Sequence, residues 1–344
     1  GSSVQTDSDG LTRARDVVRA LVGAHAEIEH LIAGGRNSRI YHVRSGSKEF
    51  ALKQYPSRAD DPRDRLSTEV GALTLMERHR IDVVPRVAGI DRDRGFALLS
   101  WIEGVPVTEI SAADVEAAVQ FLSAIHAMRN TPWAKEQPSA AEACLSGAEI
   151  ERQISARLLR LQGLRGEDDL ARFIKDACVP ALEREADKAK AKTKTAGLDF
   201  AADLPQEWRS LVPSDFGFHN SLRRKDGSLA FVDFEYFGWD DPVKLSADIM
   251  LHPGKPLAPA QSRHFRRLAV ELYGADPSFA TRLGDRLPLF GLRWVLILLN
   301  EFIPERWQRR VLAGARQSWS DAKATQLARA SEFLAALPAK VKDE

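Results

Sequence analysis

The 344-residue chain has little that would place it outside the ordinary globular class. It carries only two cysteines, Cys144 and Cys178, with no metal-ligand spacing, so neither a disulfide framework nor a zinc site organises it. Two unpaired thiols fit a reducing, cytoplasmic setting. No long apolar run is present; the most tempting, Trp294 to Leu299, is six residues, far short of a membrane span. No signal peptide is expected. An excess of one charge is also missing. Lys and Arg number 49 and Asp and Glu 48, for a net +1, which gives no argument for a nucleic acid or anionic membrane partner. Apolar residues make up 44% and charged residues 28%, enough for a sizeable core. The first ten residues are polar enough to lack structure.

One stretch, Leu211 to Asp241, concentrates the chemistry. Asp215 and Asn220 stand five apart, and Asp233 follows thirteen later, after the apolar run Leu229-Ala230-Phe231-Val232. The turn formers Lys225-Asp226-Gly227-Ser228 separate the halves, so the stretch reads as a loop bearing Asp215 and Asn220, then a hairpin that delivers Asp233. Phosphoryl transfer needs a carboxylate to orient the acceptor hydroxyl and oxygen ligands for Mg²⁺. Asp215 is the candidate base, and Asn220 and Asp233 the candidate metal ligands, following the D-x-x-x-x-N loop, strand and Asp of kinase catalytic segments. Taken singly, each also fits an ordinary turn.

Upstream, a helix is expected over 11–31, with Val17, Val18, Leu21, Val22 and Ile28 on its apolar positions. Gly34 and Gly35 then lie between two β-prone runs, where a backbone without side chains could approach a triphosphate or simply turn a hairpin. Lys53 sits inside the apolar strand Phe50–Tyr55, and buried lysines are rare unless paired. From Arg65 to His79 the pattern is helical, and Glu69 could turn inward to Lys53 or face solvent. Strands are expected at Val83–Val87 and Phe96–Ile102. Helices follow at 111–128, twice within 148–187, and at 258–273, 287–300 and 321–337. The composition change places a boundary near 101–107, giving a leading segment (1–30), a first lobe (31–106) and a helical second lobe (107–344).

A glycine turn between strands, a strand lysine, a helical glutamate, a D-x-x-x-x-N loop and an Asp after a strand thus occur in one order. With the stretches Leu98–Gly104, Leu122–His126, Val232–Tyr236 and Trp239–Pro242, they resemble the aminoglycoside phosphotransferase and choline kinase-like superfamily over about residues 28–310. The resemblance implies an α+β, two-lobed protein-kinase-like fold, with a small antiparallel sheet and one main helix in the first lobe. It implies a kinase acting on a small-molecule hydroxyl with ATP, GTP being left open, and Mg²⁺. Lys53 would contact the phosphates with Glu69 as its partner, Gly34 and Gly35 would cradle them, and backbone near Ser100 and Ile102 would bind adenine. The superfamily's His-Gly before the Asp and the His two after it are replaced by Pro213, Ser214 and Gly217, and a further Asp by Leu245, with Asp248 nearby. His219 is expected to pack or cap the loop. Glu235 shares a strand face with Asp233 and is open to a second-metal role. The replaced residues also keep open a second class, a nucleotide-binding pseudokinase with a scaffold role. Arginines mixed among the acidic residues of the late helices do not favour a polycationic acceptor, and a neutral or anionic sugar or polyol fits at least as well as an aminoglycoside-like compound or amino alcohol.

Overall fold

The computed structural model describes residues 2–32, 38–312 and 314–342. Gly34 and Gly35 therefore lie outside the described residues. The elements run α1 (Ser2–Leu21), β1 (Glu27–Ile32), β2 (Arg39–Ser45), β3 (Lys48–Gln54), α2 (Arg65–Arg78), β4 (Val87–Asp91), β5 (Phe96–Ser100), β6 (Val105–Pro106), α3 (Ala112–Ala127), α4 (Gly147–Gln162), α5 (Asp168–Phe173) and α6 (Val179–Thr195). After these come β7 (Ser210–Val212), β8 (Ser221–Arg223), β9 (Leu229–Phe231), β10 (Gly238–Asp240), α7 (Pro242–Leu251), α8 (Pro259–Leu272), α9 (Phe279–Leu298), α10 (Pro304–Leu312) and α11 (Trp319–Lys340). The result is the expected α+β arrangement, an antiparallel sheet of order β1-β2-β3-β5-β4 followed by a mostly helical remainder.

Strand alternation explains the position of Lys53. On β3, Leu52 joins Tyr41, Val43, Phe96 and Leu98 in a small core that buries Val17 and Val18 of α1. Its neighbours Ala51, Lys53 and Tyr55 face the other way, where Leu66, Val70, Leu73 and Met76 of α2 pack into the main core. The central strand thus presents one cation to the face that α2 covers.

Three local expectations are corrected. Ile28 stands in β1, not in the leading helix, which starts at Ser2 and ends at Leu21, just before Gly23 at φ +137°. Val83–Val87 does not form a strand; β4 starts at Val87. Pro85 has no amide to give a ladder, and the Val83 carbonyl accepts instead from the Phe231 amide at 2.8 Å. The late helix assigned to 287–300 begins earlier, at Phe279. Among the described residues no single helix is long and apolar enough to cross a membrane.

The second lobe holds the candidate catalytic segment between helices. α3 ends near His126, whose Nδ1 lies 2.8 Å from Ser210 Oγ at the start of β7. The Ser210 hydroxyl donates onward to the Leu211 carbonyl, so His126 is the donor to Ser210. β10 pairs with β7 and also lies against 138–140, where the Trp239 amide donates to the Pro138 carbonyl at 2.9 Å and the Ala140 amide to the Trp239 carbonyl at 2.9 Å. A Cβ on Gly238 would overlap the Pro138 carbonyl and the Ala140 amide, backbone atoms that cannot move aside.

Two expected outcomes follow from this packing. Gly238→Ala should lower the unfolding free energy by about 2–4 kcal/mol, measured by urea denaturation, because backbone must separate to admit the methyl group. Burial, with the charge of Arg129 adding to it, pushes His126 down from 6.5 to about 4. The imidazole is then neutral in the fold but protonated in the unfolded chain below about pH 6.5. Between these values the unfolded state binds the extra proton, so stability should fall as pH drops from 6.5 towards 4. The urea midpoint of His126→Gln should lose less across that window than the parent's.

Candidate active site

The site is organised by one ammonium group. Lys53 Nζ lies 2.9 Å from Glu69 Oε1, 2.8 Å from Glu235 Oε1 and 3.3 Å from Asp233 Oδ1. Lys53 is 4% exposed and Glu69 1%, so the pair is fully inside. Burial alone would strip the proton from the amine, but Asp233, Glu69 and Glu235 together outweigh it and hold the Lys53 pKa well above its usual value. Glu69 does more than neutralise charge. Its Oε1 accepts from the Tyr55 hydroxyl at 2.5 Å, and its Oε2 accepts from the Phe234 amide at 2.6 Å. The helix carboxylate therefore fastens the strand lysine to the backbone just after Asp233.

That fastening matters because Asp233 is in a conformation that L-residues avoid, with φ +74°. The bond from Glu69 and the complete burial of Phe234, packed beside Phe121, hold it there. Burial pushes the Asp233 carboxyl up to about 7, Lys53 opposing and the charges of Glu235, Glu69 and Asp215 adding to the rise. Glu235, open in the sequence to a second metal, is engaged on both oxygens. Oε1 accepts from Ser38 Oγ at 2.5 Å as well as pairing with Lys53, and Oε2 accepts from Arg65 Nη1 at 3.2 Å.

Asp215 follows β7, which Pro213 ends after an extended Val212, as expected from the ring. Ser214 takes φ +71°, the second strained residue of the site. Asn220 Nδ2 donates to the Asp215 carbonyl at 3.0 Å, and the Asn220 amide closes a 3₁₀ turn on Gly217 at 3.1 Å. The Asn220 side-chain oxygen is thereby left for another partner. The Val232 amide donates to the Asn220 carbonyl at 3.0 Å, tying the loop to the strand that leads to Asp233.

His219 packs as expected, against His252, and also reaches the candidate base. Its Nε2 lies 2.7 Å from Asp215 Oδ1. Burial opposes ionisation of Asp215, but the hydrogen bond and charge of His219, helped by His252 and Asn220, bring the carboxyl down to about 2. Asp215 nonetheless keeps 36% of its side chain open to the cleft. The His219 ring stacks on His252, centroids 3.8 Å apart, and His252 meets the Trp294 ring edge-on at 4.7 Å. Trp294 Nε1 donates to Asp248 Oδ1 at 3.0 Å, whereas Leu245 is core. Trp239 bonds the Ala134 carbonyl at 2.8 Å.

At the lobe junction, the Ser100 amide donates to the Arg86 carbonyl and Ser100 Oγ accepts from the Arg86 amide, both at 2.8 Å. Ile102 makes no backbone hydrogen bond among the described residues. Arg63 crosses between the lobes, donating from Nε to the Glu235 carbonyl, from Nη1 to the Ser139 carbonyl and from Nη2 to the Phe237 carbonyl, each at 3.2 Å. The structure thus brings Lys53, Glu69, Asp215, Asn220 and Asp233 to one cleft. Sequence reasoning missed His219, Glu235 as a lysine partner, and Arg63. Only the i+4 spacing of His219 from Asp215 offered a signal.

The spectinomycin phosphotransferase APH(9)-Ia, solved with ADP and spectinomycin, superposes with a TM-score of 0.63 at 13% identity, over 95% of this chain and 98% of that one. The choline kinase LicA of Streptococcus pneumoniae gives 0.53 at 14% identity, over 95% and 99%. The Plasmodium vivax ethanolamine kinase gives 0.55 at 12%, over 95% and 86%. No curated protein sequence matches the chain. The profile of the phosphotransferase enzyme family, however, matches residues 29–244, more than half of the chain and every one of the five cleft residues. The chain therefore belongs to the phosphotransferase enzyme family.

Proposed function

We propose that the protein transfers the γ-phosphoryl group of ATP to a hydroxyl of a small molecule in a Mg²⁺-dependent reaction. The observation that carries this reading is the meeting of Lys53 and Asp233, 180 residues apart in sequence, at 3.3 Å beside Asp215. The structural relatives that hold ADP or AMP support nucleotide binding in such a cleft.

Lys53, held by Glu69, supplies fixed positive charge for the nucleotide phosphates. The Ile102 backbone, without a hydrogen bond among the described residues, would be free to meet the adenine edge, while Ser100 braces the strand end through Arg86. The donors fit Mg²⁺: Asp233 offers a carboxylate in a crowd of negative charge, and Asn220 offers an amide oxygen, both hard oxygen ligands. Held by Asp233 and Asn220, Mg²⁺ would neutralise charge that develops on the phosphates. Asp215, ionised and partly open, accepts a hydrogen bond from the acceptor hydroxyl and orients its oxygen in line with the γ-phosphorus. His219 holds one Asp215 oxygen in place, leaving the other for that hydroxyl.

The test is ADP formation with ATP, Mg²⁺ and a panel of sugars, polyols, amino alcohols and aminoglycosides, with GTP as a competing donor. Asp215→Asn should lower acceptor-dependent turnover by about 10²–10⁴-fold while nucleotide affinity stays near the parent value. Nucleotide binding without turnover across the panel would instead favour a scaffold. Lys53→Met should abolish turnover and also destabilise the fold by about 3–5 kcal/mol in urea titration, because it leaves buried carboxylates without their cation.

A further inference from the structure

The contacts continue from the catalytic loop to a second group of charges. Asp248, reached through His219, His252 and Trp294, lies 3.7 Å from Lys244 and feels the charge of both Asp215 and Arg293. Arg293 on α9 bonds Gln153 at 3.0 Å and pairs with Glu142. Glu142 pairs in turn with Arg157 of α4 at 2.7 Å. Beyond Glu142 the balance of charge fails. Arg157 is 16% exposed, and its Nε is buried with no hydrogen-bond partner. Arg306, on α10, is half-buried and makes no side-chain hydrogen bond or ion pair among the described residues. Burial and the like charges of Arg157 and Arg160 all disfavour its cationic form. Glu142 is the carboxylate that acts on it, and two other arginines already hold Glu142. Arg160 has only the exposed Glu305, at 3.5 Å.

Guanidinium groups are rarely gathered in a half-buried place with one shared carboxylate, because like charges repel and their donors go unmet. A phosphate or carboxylate ligand would satisfy both deficits, since its oxygens match the guanidinium fork. We propose that Arg306, with Arg157 and Arg160, forms the anion-binding end of the acceptor site, so that the acceptor is a hydroxy compound bearing a phosphate or carboxylate group. The proposal rests on the kinase reading of the cleft, which supplies the other end of the acceptor at Asp215. It also gives the arginines of α4 and α10 a role in rejecting polycations, by placing like charge where an amine-rich acceptor would lie.

The experiment is a calorimetric titration with the nucleotide site filled by a non-hydrolysable ATP analogue and Mg²⁺, so that anions cannot report on Lys53. The probes are inorganic phosphate and glucose 6-phosphate for the phosphate arm, gluconate for the carboxylate arm, and glucose as the neutral control. At least one anion should bind and glucose should not. Arg306→Gln should weaken that binding at least about tenfold, Arg306→Lys should restore part of it, and both should melt with the parent. Asp215→Asn should leave anion binding in place while removing turnover. Equal binding of glucose, binding unchanged within about twofold in Arg306→Gln, or no anion binding at millimolar concentration would each overturn the proposal. Failure of the ATP analogue to bind counts against the kinase reading instead, and the anion titration still decides this one.

Discussion

The structure depends on a buried ion cluster that does not balance itself. One ammonium, Lys53, faces three carboxylates, Glu69, Asp233 and Glu235, with Arg65 satisfying the far side of Glu235. In a low-dielectric interior such an arrangement is costly unless each oxygen has a donor. Glu69 and Glu235 have theirs, from Tyr55, Phe234, Ser38 and Arg65. Among the described residues Asp233 has only a long contact to Lys53, and it is the group that burial drives towards protonation. The cluster is therefore complete on its structural side and deficient in positive charge on its cleft side. In the proposed reaction a Mg²⁺ ion would supply that missing charge, while the cluster's structural side ties the sheet to the second lobe.

The backbone takes part in this. Ser214 and Asp233, the two left-handed non-glycine residues at the cleft, stand beside the candidate base and at the candidate metal position. Each is pinned by a neighbouring bond, the Phe216 amide to the Ser214 carbonyl at 2.9 Å and the Phe234 amide to Glu69. Strain of this kind aims a short carboxylate where a relaxed strand or turn would not. It also accounts for the tolerance of Pro213 and Ser214 before the base. Their task is to turn the chain, and the imidazole comes from His219, through a 3₁₀ turn that folds it back onto Asp215.

Local patterns made much of this legible. The alternation around Lys53, the helical stripe beside Glu69, and the loop, turn and strand from Asp215 to Asp233 are each short-range signals, and the structure joins them in one cleft. Errors arose where long-range packing decided. Ile28 has helical spacing but pairs with Val43 in the sheet. Val83–Val87 has strand composition, yet its Val83 carbonyl serves a strand end 148 residues away. Glu235 was read as open to a metal from an expected strand face shared with Asp233, but the strand ends at Phe231 and residue 235 lies in a turn, and its partners Ser38 and Arg65 were not visible. The arginines of α4, α9 and α10 were visible only as composition, since nothing local says that residues 157 and 293 meet at Glu142 or that Arg306 feels its charge.

Arg63 carries a consequence for motion. Its guanidinium holds three carbonyls of the second lobe while its backbone belongs to the segment entering α2. Spreading the lobes at that edge would break three bonds to one charged group at once, and with them the bonds of Glu69 and Arg65 to residues 234 and 235. The guanidinium is thus one of several ties that make this corner of the cleft costly to open.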